Sequence, residues 1–350
     1  MKKFLIKLLL MVFPLWLILI GLTVYISIYV APRISGDIGN LICIPFGHEY
    51  DHNLKRNMFN DLLFQTIYQT DSLKIIHTDV LTIGDSFSQP KTQLKTGSYQ
   101  NYLCKKGLSI INCYRYLYNS PIQYAYNILN ENIVDSTNTQ YLIVENVERG
   151  FEGTFVAFSP EKKEVPSGKL PTDNPSKKVK SVNEWSVARV RDYILYQIGK
   201  SPIYNTKLDT DLFSSDEANG LYFYHNDIER GTTIKKGNEE IIKKVFEMLK
   251  HKAEEKGITL ILLVAVDKYD LYQDHIINNP WPKKTVNEDL QRILGKSPNL
   301  LLSKYYLTPL IEKGEKDVFM FNDTHWSYKA SKVVADELYN RIEFFRSNKK

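Results

Sequence analysis

The chain has 350 residues, 43% of them hydrophobic, enough to bury a sizeable core, which excludes wholesale disorder. A formal net charge of +5, from 45 basic against 40 acidic residues, describes a surface of mixed sign and argues against a nucleic-acid groove. Cys43, Cys104 and Cys113 are too few for a disulfide scaffold and lack the spacing of a zinc ribbon; whether Cys104 and Cys113 pair is a matter of geometry.

Residues 8–30 carry no charge and are almost wholly apolar. At about 1.5 Å per residue they are long enough to cross a hydrocarbon core of about 30 Å. Lys2, Lys3 and Lys7 precede the stretch and only Arg33 follows closely, so the positive-inside bias puts residues 1–7 in the cytoplasm. Everything after Val30 is then expected outside, on a single-pass protein of the inner or plasma membrane, periplasmic or extracellular. A cleaved signal peptide is the competing reading, but no A-x-A-like site follows.

Residues 31–53, broken by Pro32, Gly36, Gly39, Pro45 and Gly47, read as a juxtamembrane linker leading into a domain over 54–350. An amphipathic helix is expected over 54–68, with Met58, Leu62, Leu63 and Ile67 on one face. Short apolar runs at 80–83, 109–113, 141–144 and 259–264 read as strands. Helical patterns lie between them, one opening at Ser120-Pro121 and one over 238–256 that stops at Gly257. This alternation predicts an α/β fold with a parallel sheet. Residues 158–183 break the rhythm and read as a surface insertion. Lys162, Lys163, Lys177, Lys178 and Lys180 cluster there, in what is best read as a solvated loop.

Two stretches carry chemistry. Residues 78–88, Thr-Asp-Val-Leu-Thr-Ile-Gly-Asp-Ser-Phe-Ser, are an apolar strand ending in Gly84-Asp85-Ser86. A serine just beyond a parallel strand's carboxyl end sits where such sheets bind ligands. A helix starting near Phe87 would turn its N-H groups toward a developing oxyanion, while a plain helix cap is the bland alternative. Near the C-terminus, Asn322-Asp323-Thr324-His325-Trp326 precedes a helical pattern over 328–342. Serine needs a base, and the base needs an orienting acid. Asp323 is close enough along the chain to orient His325, and Trp326 is placed to wall the site.

With Gly84-Asp85-Ser86 early and Asp323-Thr324-His325-Trp326 late, the chain resembles the SGNH/GDSL superfamily. More narrowly it is similar to the alginate O-acetyltransferase group of exopolysaccharide export. The narrower likeness adds the strand segment 141–149, ending Glu148-Arg149, and the segment 266–272, which contains Lys268-Tyr269. The resemblance implies a three-layer α/β/α sandwich with a flavodoxin-like parallel sheet, preceded here by one transmembrane helix. It implies Ser86 as nucleophile, His325 as base and Asp323 as its acid, with a covalent acetyl-serine passed to a sugar hydroxyl of an exported polysaccharide. It also implies a membrane-bound O-acyltransferase partner that supplies acetyl groups. Neither cofactor nor metal is called for. No Gly-x-Asn-Asp block is present, so Asn146 or Arg149 stands in for the oxyanion donor, and a structural role for each stays open. Asp85, Lys268, Tyr269 and Trp326 complete the expected oxyanion or substrate-binding set, with Tyr272 read as packing.

Three other functions compete. Water in place of sugar would make the protein a membrane-anchored carbohydrate acetyl esterase. An idle triad would leave a polysaccharide-binding or assembly protein. His48-Glu49-Tyr50-Asp51-His52 fits the H-E-x-x-H zinc pattern, but it follows Pro45 and Gly47 in the expected linker and has no convincing third ligand.

Overall fold

Strands buried on both faces read as continuous apolar runs, and the four runs found in the sequence become the middle of such a sheet. The computed structural model describes residues 1–30, 34–44, 61–67, 77–89, 97–113, 120–130, 133–162 and 187–348. Within these, helices α1 (Lys2–Tyr25) and α2 (Gly36–Ile42) precede β1 (Gln65–Ile67) and β2 (Val80–Ile83). Next come α3 (Tyr99–Lys105), β3 (Ile110–Cys113), α4 (Pro121–Asn130), β4 (Tyr141–Val147) and α5 (Glu148–Val156). Helix α6 (Val187–Gln197) leads to the hairpin β5 (Ile203–Lys207) and β6 (Gly220–Tyr224). The rest is α7 (Asn226–Glu229), α8 (Glu239–Glu255), β7 (Thr259–Ala265), α9 (Lys268–Tyr272), α10 (Val286–Leu294), β8 (Leu300–Leu302), α11 (Lys304–Glu312) and α12 (Tyr328–Asn348).

The main sheet has the order β1-β3-β2-β4-β7-β8, and every neighbouring pair is parallel. Leaving aside the edge strand β1, this is the flavodoxin-like order, and its direction of growth reverses between β2 and β4. Alternate strand residues enter two cores. Val80, Tyr141, Ile143, Ile261 and Leu263 join the side covered by α3, α11 and α12. Leu81, Leu142, Val144, Leu260 and Leu262 join the side covered by α4, α5, α8 and α10. That is the expected three-layer sandwich.

Helix α4 starts at Pro121 with Ser120 Oγ accepting from the Gln123 amide, and α8 ends before Gly257 at φ +70, as composition predicted. Cys104 packs against one core and Cys113 lies within the other, and all three cysteines are free thiols.

Two expectations need correction. The described part of the helix expected over 54–68 contains strand β1, because Thr66 and Ile67 are β-branched and extend the sheet edge beside β3. The expected linker over 31–53 contains α2, whose Ile38 and Ile42 are fully buried in the main core. Ser35 before the helix, Asp37 in its first turn and the Ile38, Leu41, Ile42 spacing account for it. The H-E-x-x-H motif, residues 54–60 and most of the 158–183 insertion lie outside the described residues.

Among the described residues one helix is long and apolar enough to cross a membrane: α1 with its π-helical extension Ile26–Val30. Its C-terminal end packs against α6 in a small cluster of Ile26, Val30, Cys43 and Val190.

Gly84 follows β2 where a Cβ would overlap the Glu145 carboxylate and the Ser88 hydroxyl. Overpacking of this kind costs about 1–3 kcal/mol. Gly84→Ala is therefore expected to lower the unfolding free energy by that amount, read as a lower urea midpoint with an unchanged slope; a wild-type midpoint would show that the contact is not tight.

Candidate active site

The carboxyl ends of β2 and β4 open into a cleft of about 720 Å³ lined by Asp85, Ser86, Asn146, Arg149, Thr154 and Tyr224, among others. It lies at the strand-order reversal, where open parallel sheets bind ligands. Ser86 also lines a narrow neighbouring cavity together with Phe87, His325 and Trp326. The serine thus stands between an open cleft and the histidine.

The serine's turn is held from both sides. Asp85 accepts from the Phe87 amide at 3.1 Å and from the Val147 amide at 2.7 Å, tying the turn to the end of β4. Glu145 accepts from the Asp85 amide and the Ser88 hydroxyl, both at 2.9 Å. The Asp85 carboxylate can only accept, and it accepts from backbone, so it braces the turn and is not an oxyanion donor. Ser86 itself opens a three-residue 3-10 turn, Ser86–Ser88, in place of the expected helix start.

The histidine's loop is a narrow hairpin. Phe319 bridges Trp326, the Ser327 amide donates to the Val318 carbonyl at 2.9 Å, and the Met320 amide donates to the His325 carbonyl at 3.2 Å. Asp323 accepts from His325 Nδ1 at 2.6 Å and from the His325 amide at 3.1 Å. His325 Nε2 and Trp326 Nε1 are buried and have no hydrogen-bond partner. Phe87 packs against both rings, with centroids at 5.0 Å from His325 and 4.8 Å from Trp326, so the two chemistry-bearing loops touch. Burial opposes a charge on His325, but the Asp323 carboxylate, backed by Asp37, outweighs it and raises the imidazole pKa.

Lys268 and Tyr269 do not line the cleft, contrary to expectation; both are fully buried. Lys268 Nζ donates to the carbonyls of Met320 at 2.8 Å, Phe321 at 2.8 Å and Asp323 at 3.1 Å. It is the internal post of the histidine loop. Tyr269 donates to the Pro282 carbonyl at 2.9 Å and packs beside Phe223, and Tyr272 is a core residue as read. Arg149 pairs with Asp267 at 2.7 Å and Asp227 at 3.3 Å yet lines the cleft. Asn146 donates to Thr154 Oγ1 at 2.6 Å in the cleft wall.

Sequence reasoning missed Asp37. Its carboxylate accepts from the Thr324 amide at 2.7 Å and from the Thr324 hydroxyl, and lies 3.5 Å from His325 Nδ1. Burial, then repulsion by Asp323, raises its pKa to about 7. The signal was Ser35-Gly36-Asp37 ahead of helically spaced isoleucines.

The architecture is a mostly parallel sheet flanked by helices, with a serine beyond β2 and an Asp-x-His loop before the last helix. Residues 212–346 match the family model described as SGNH hydrolase-like domain, acetyltransferase AlgX. That stretch contains Asp323 and His325 and leaves Ser86 outside, and it supports an O-acetyltransferase type of activity in general. No curated protein and no solved structure matches the chain significantly.

Burial lowers the Lys268 pKa to about 7. Between there and the ordinary lysine value the unfolded chain binds the extra proton, so this group makes stability rise with pH across that window. Lys268→Met removes the lysine's donation to three carbonyls, of which Met320's keeps the Asp323 amide at 3.3 Å, and is expected to cost about 1–3 kcal/mol. The gap from wild type should widen between about pH 7 and about pH 9.5; a gap that does not change with pH, measured by chemical denaturation, would mean that Lys268 keeps its proton in the folded protein and would refute its lowered pKa.

Proposed function

We propose that the protein is a membrane-anchored O-acetyltransferase whose domain works outside the cytoplasm, carrying acetyl on Ser86 to a hydroxyl of an exported or cell-surface polysaccharide. The observation that carries this reading is the shared cavity. Ser86 and His325 line one space, His325 Nδ1 is held by Asp323, and Nε2 is buried with no partner. A buried imidazole nitrogen in that state is a base waiting for a proton. The serine–histidine hydrogen bond of such enzymes commonly tightens only when substrate is present.

In the proposed mechanism Ser86 Oγ attacks the donor's acetyl carbonyl while His325 Nε2 takes the serine proton. The tetrahedral intermediate collapses as His325 returns that proton to the donor's leaving oxygen, leaving acetyl-serine. A sugar hydroxyl in the cleft then attacks the acetyl carbon, giving its proton to His325, which passes it to Ser86 Oγ as the ester bond to serine breaks. Asn146 is proposed as the side-chain oxyanion donor beside the Ser86 amide, since it lines the same cleft. Trp326 and Phe87 wall the reacting atoms from water. The Asp323 carboxylate holds the imidazolium.

Transfer is favoured over hydrolysis by the cleft, which gives an acceptor sugar room directly beside Ser86. The apolar helix at residues 2–30 supports the anchor, with Lys2, Lys3 and Lys7 marking the cytoplasmic end. A membrane-bound acyltransferase that brings acetyl groups across the bilayer is the partner this reading requires.

Ser86→Ala is expected to abolish acetylation of the exported glycan while export continues. Persisting acetylation would sink the catalytic reading, and loss of the glycan itself would favour a binding role. With an activated acetyl ester, mass spectrometry of the purified protein should find acetyl on the Ser86 peptide, and the label should move to added oligosaccharide. Release of the label only to water would make the protein an esterase. Asn146→Ala should lower kcat by about 10²–10³ with the acetyl-serine site intact; a wild-type rate would remove Asn146 from the oxyanion site.

A further inference from the structure

The histidine loop is clasped from outside by the chain that leaves the apolar helix. Asn322 Nδ2 donates to Ser35 Oγ at 2.6 Å and to the Ser35 carbonyl at 3.1 Å. The Gly39 amide approaches the Asn322 carbonyl at 3.5 Å, and the Asp37 amide donates to Asp323 Oδ2 at 3.3 Å. Gly36, at φ +74, lies so close to Asn322 that a Cβ would overlap its carbonyl. At the centre of the clasp the two oxygens of Asp37 hold the amide and hydroxyl of Thr324, the residue between Asp323 and His325.

We propose that Asp37 is a positioning residue for the histidine. With Asp323 it forms a two-carboxylate cradle that sets the His325 ring and stabilises its charged form, making the segment next to the membrane helix part of the active site. The inference rests on the acyl-transfer reading above. Its geometry favours positioning over a cation site, although Asp37, Asp323 and His325 carry ligand atoms within 4.8 Å of one another. Both Asp37 oxygens already accept from Thr324, and Asp323 Oδ1 accepts from His325 Nδ1. A metal would compete with these hydrogen bonds for the same oxygens.

The charged groups that face Asp37 set the direction of the effect. Asp323 and His325 lie in the loop, the Lys268 ammonium comes from α9, and Arg149 acts on the same histidine from α5. Asp37 raises the His325 pKa, as Asp323 does, while Arg149 lowers it. A neutral residue at 37 therefore lets the imidazole lose its proton at lower pH. The same change weakens the imidazolium when it forms during the reaction.

The test uses the full chain in detergent or vesicles with p-nitrophenyl acetate, comparing wild type, Asp37→Asn, Ser35→Ala and Ser86→Ala. For Asp37→Asn, kcat should fall about ten- to a hundredfold with KM little changed. The acid limb of its kcat/KM profile should move to lower pH. Ser35→Ala loosens the same clasp without removing a charge, so its acid limb should stay at the wild-type pH. If Asp37→Asn does not fold, Asp37→Glu is read instead: kcat should fall with the acid limb in place. A wild-type kcat and acid limb in either Asp37 variant overturns the proposal, as does activity lost to a chelator and restored by a divalent metal. Turnover surviving in Ser86→Ala would instead overturn the acyl-transfer reading. An inactive Ser86→Ala beside a fully active Asp37→Asn removes Asp37 alone.

Discussion

The candidate site depends on one buried amine. Lys268 is fully buried, and its named hydrogen bonds all go to backbone carbonyls of the loop 320–323. A charge in that position is expensive to desolvate, and three carbonyl dipoles offset the penalty only if the loop wraps it closely. The loop therefore has one shape available to it. That shape presents Asp323 to His325 Nδ1 and brings the imidazole against Phe87, the residue after the serine.

The same logic governs the serine's side of the site. Asp85 and Glu145 are buried carboxylates whose oxygens accept from backbone amides and the Ser88 hydroxyl, and together they lock the turn after β2 onto the end of β4. Farther along the sheet edge, Asp267 sits between Arg149 and Lys284, joining the ends of β4 and β7. Charged groups, together with the packing of Phe87 on His325 and Trp326, set the relative positions of the loops here. Apolar packing does its work one layer below, in the two cores that the strands divide between them.

Much of this was legible in the amino-acid sequence, for physical reasons. Strands β2, β3, β4 and β7 are buried on both faces, so they appear as mostly apolar runs, whereas the three-residue strands β1 and β8 are too short to leave a pattern. Ser86, Asp323 and His325 stood out because each follows an apolar stretch and offers chemistry that packing does not need. The roles of Lys268 and Tyr269 were misread because a residue after a strand end can face the cleft or turn inward, and nothing local tells the two apart. Asp37 was hidden for a different reason: glycines on either side resemble a linker, and the partner that makes sense of the residue lies at the other end of the chain.

That separation has a consequence for how the protein comes to exist. Asp37 and Thr324 are 287 residues apart, and contacts of such range form late because a long loop must close before they add any stability. During synthesis the apolar helix, the serine turn and most of the sheet are complete while the base is still unmade. On the proposed mechanism, a nascent or truncated chain therefore holds Ser86 without its base. Synthesis of the last stretch is then the step that supplies Ser86 with its base.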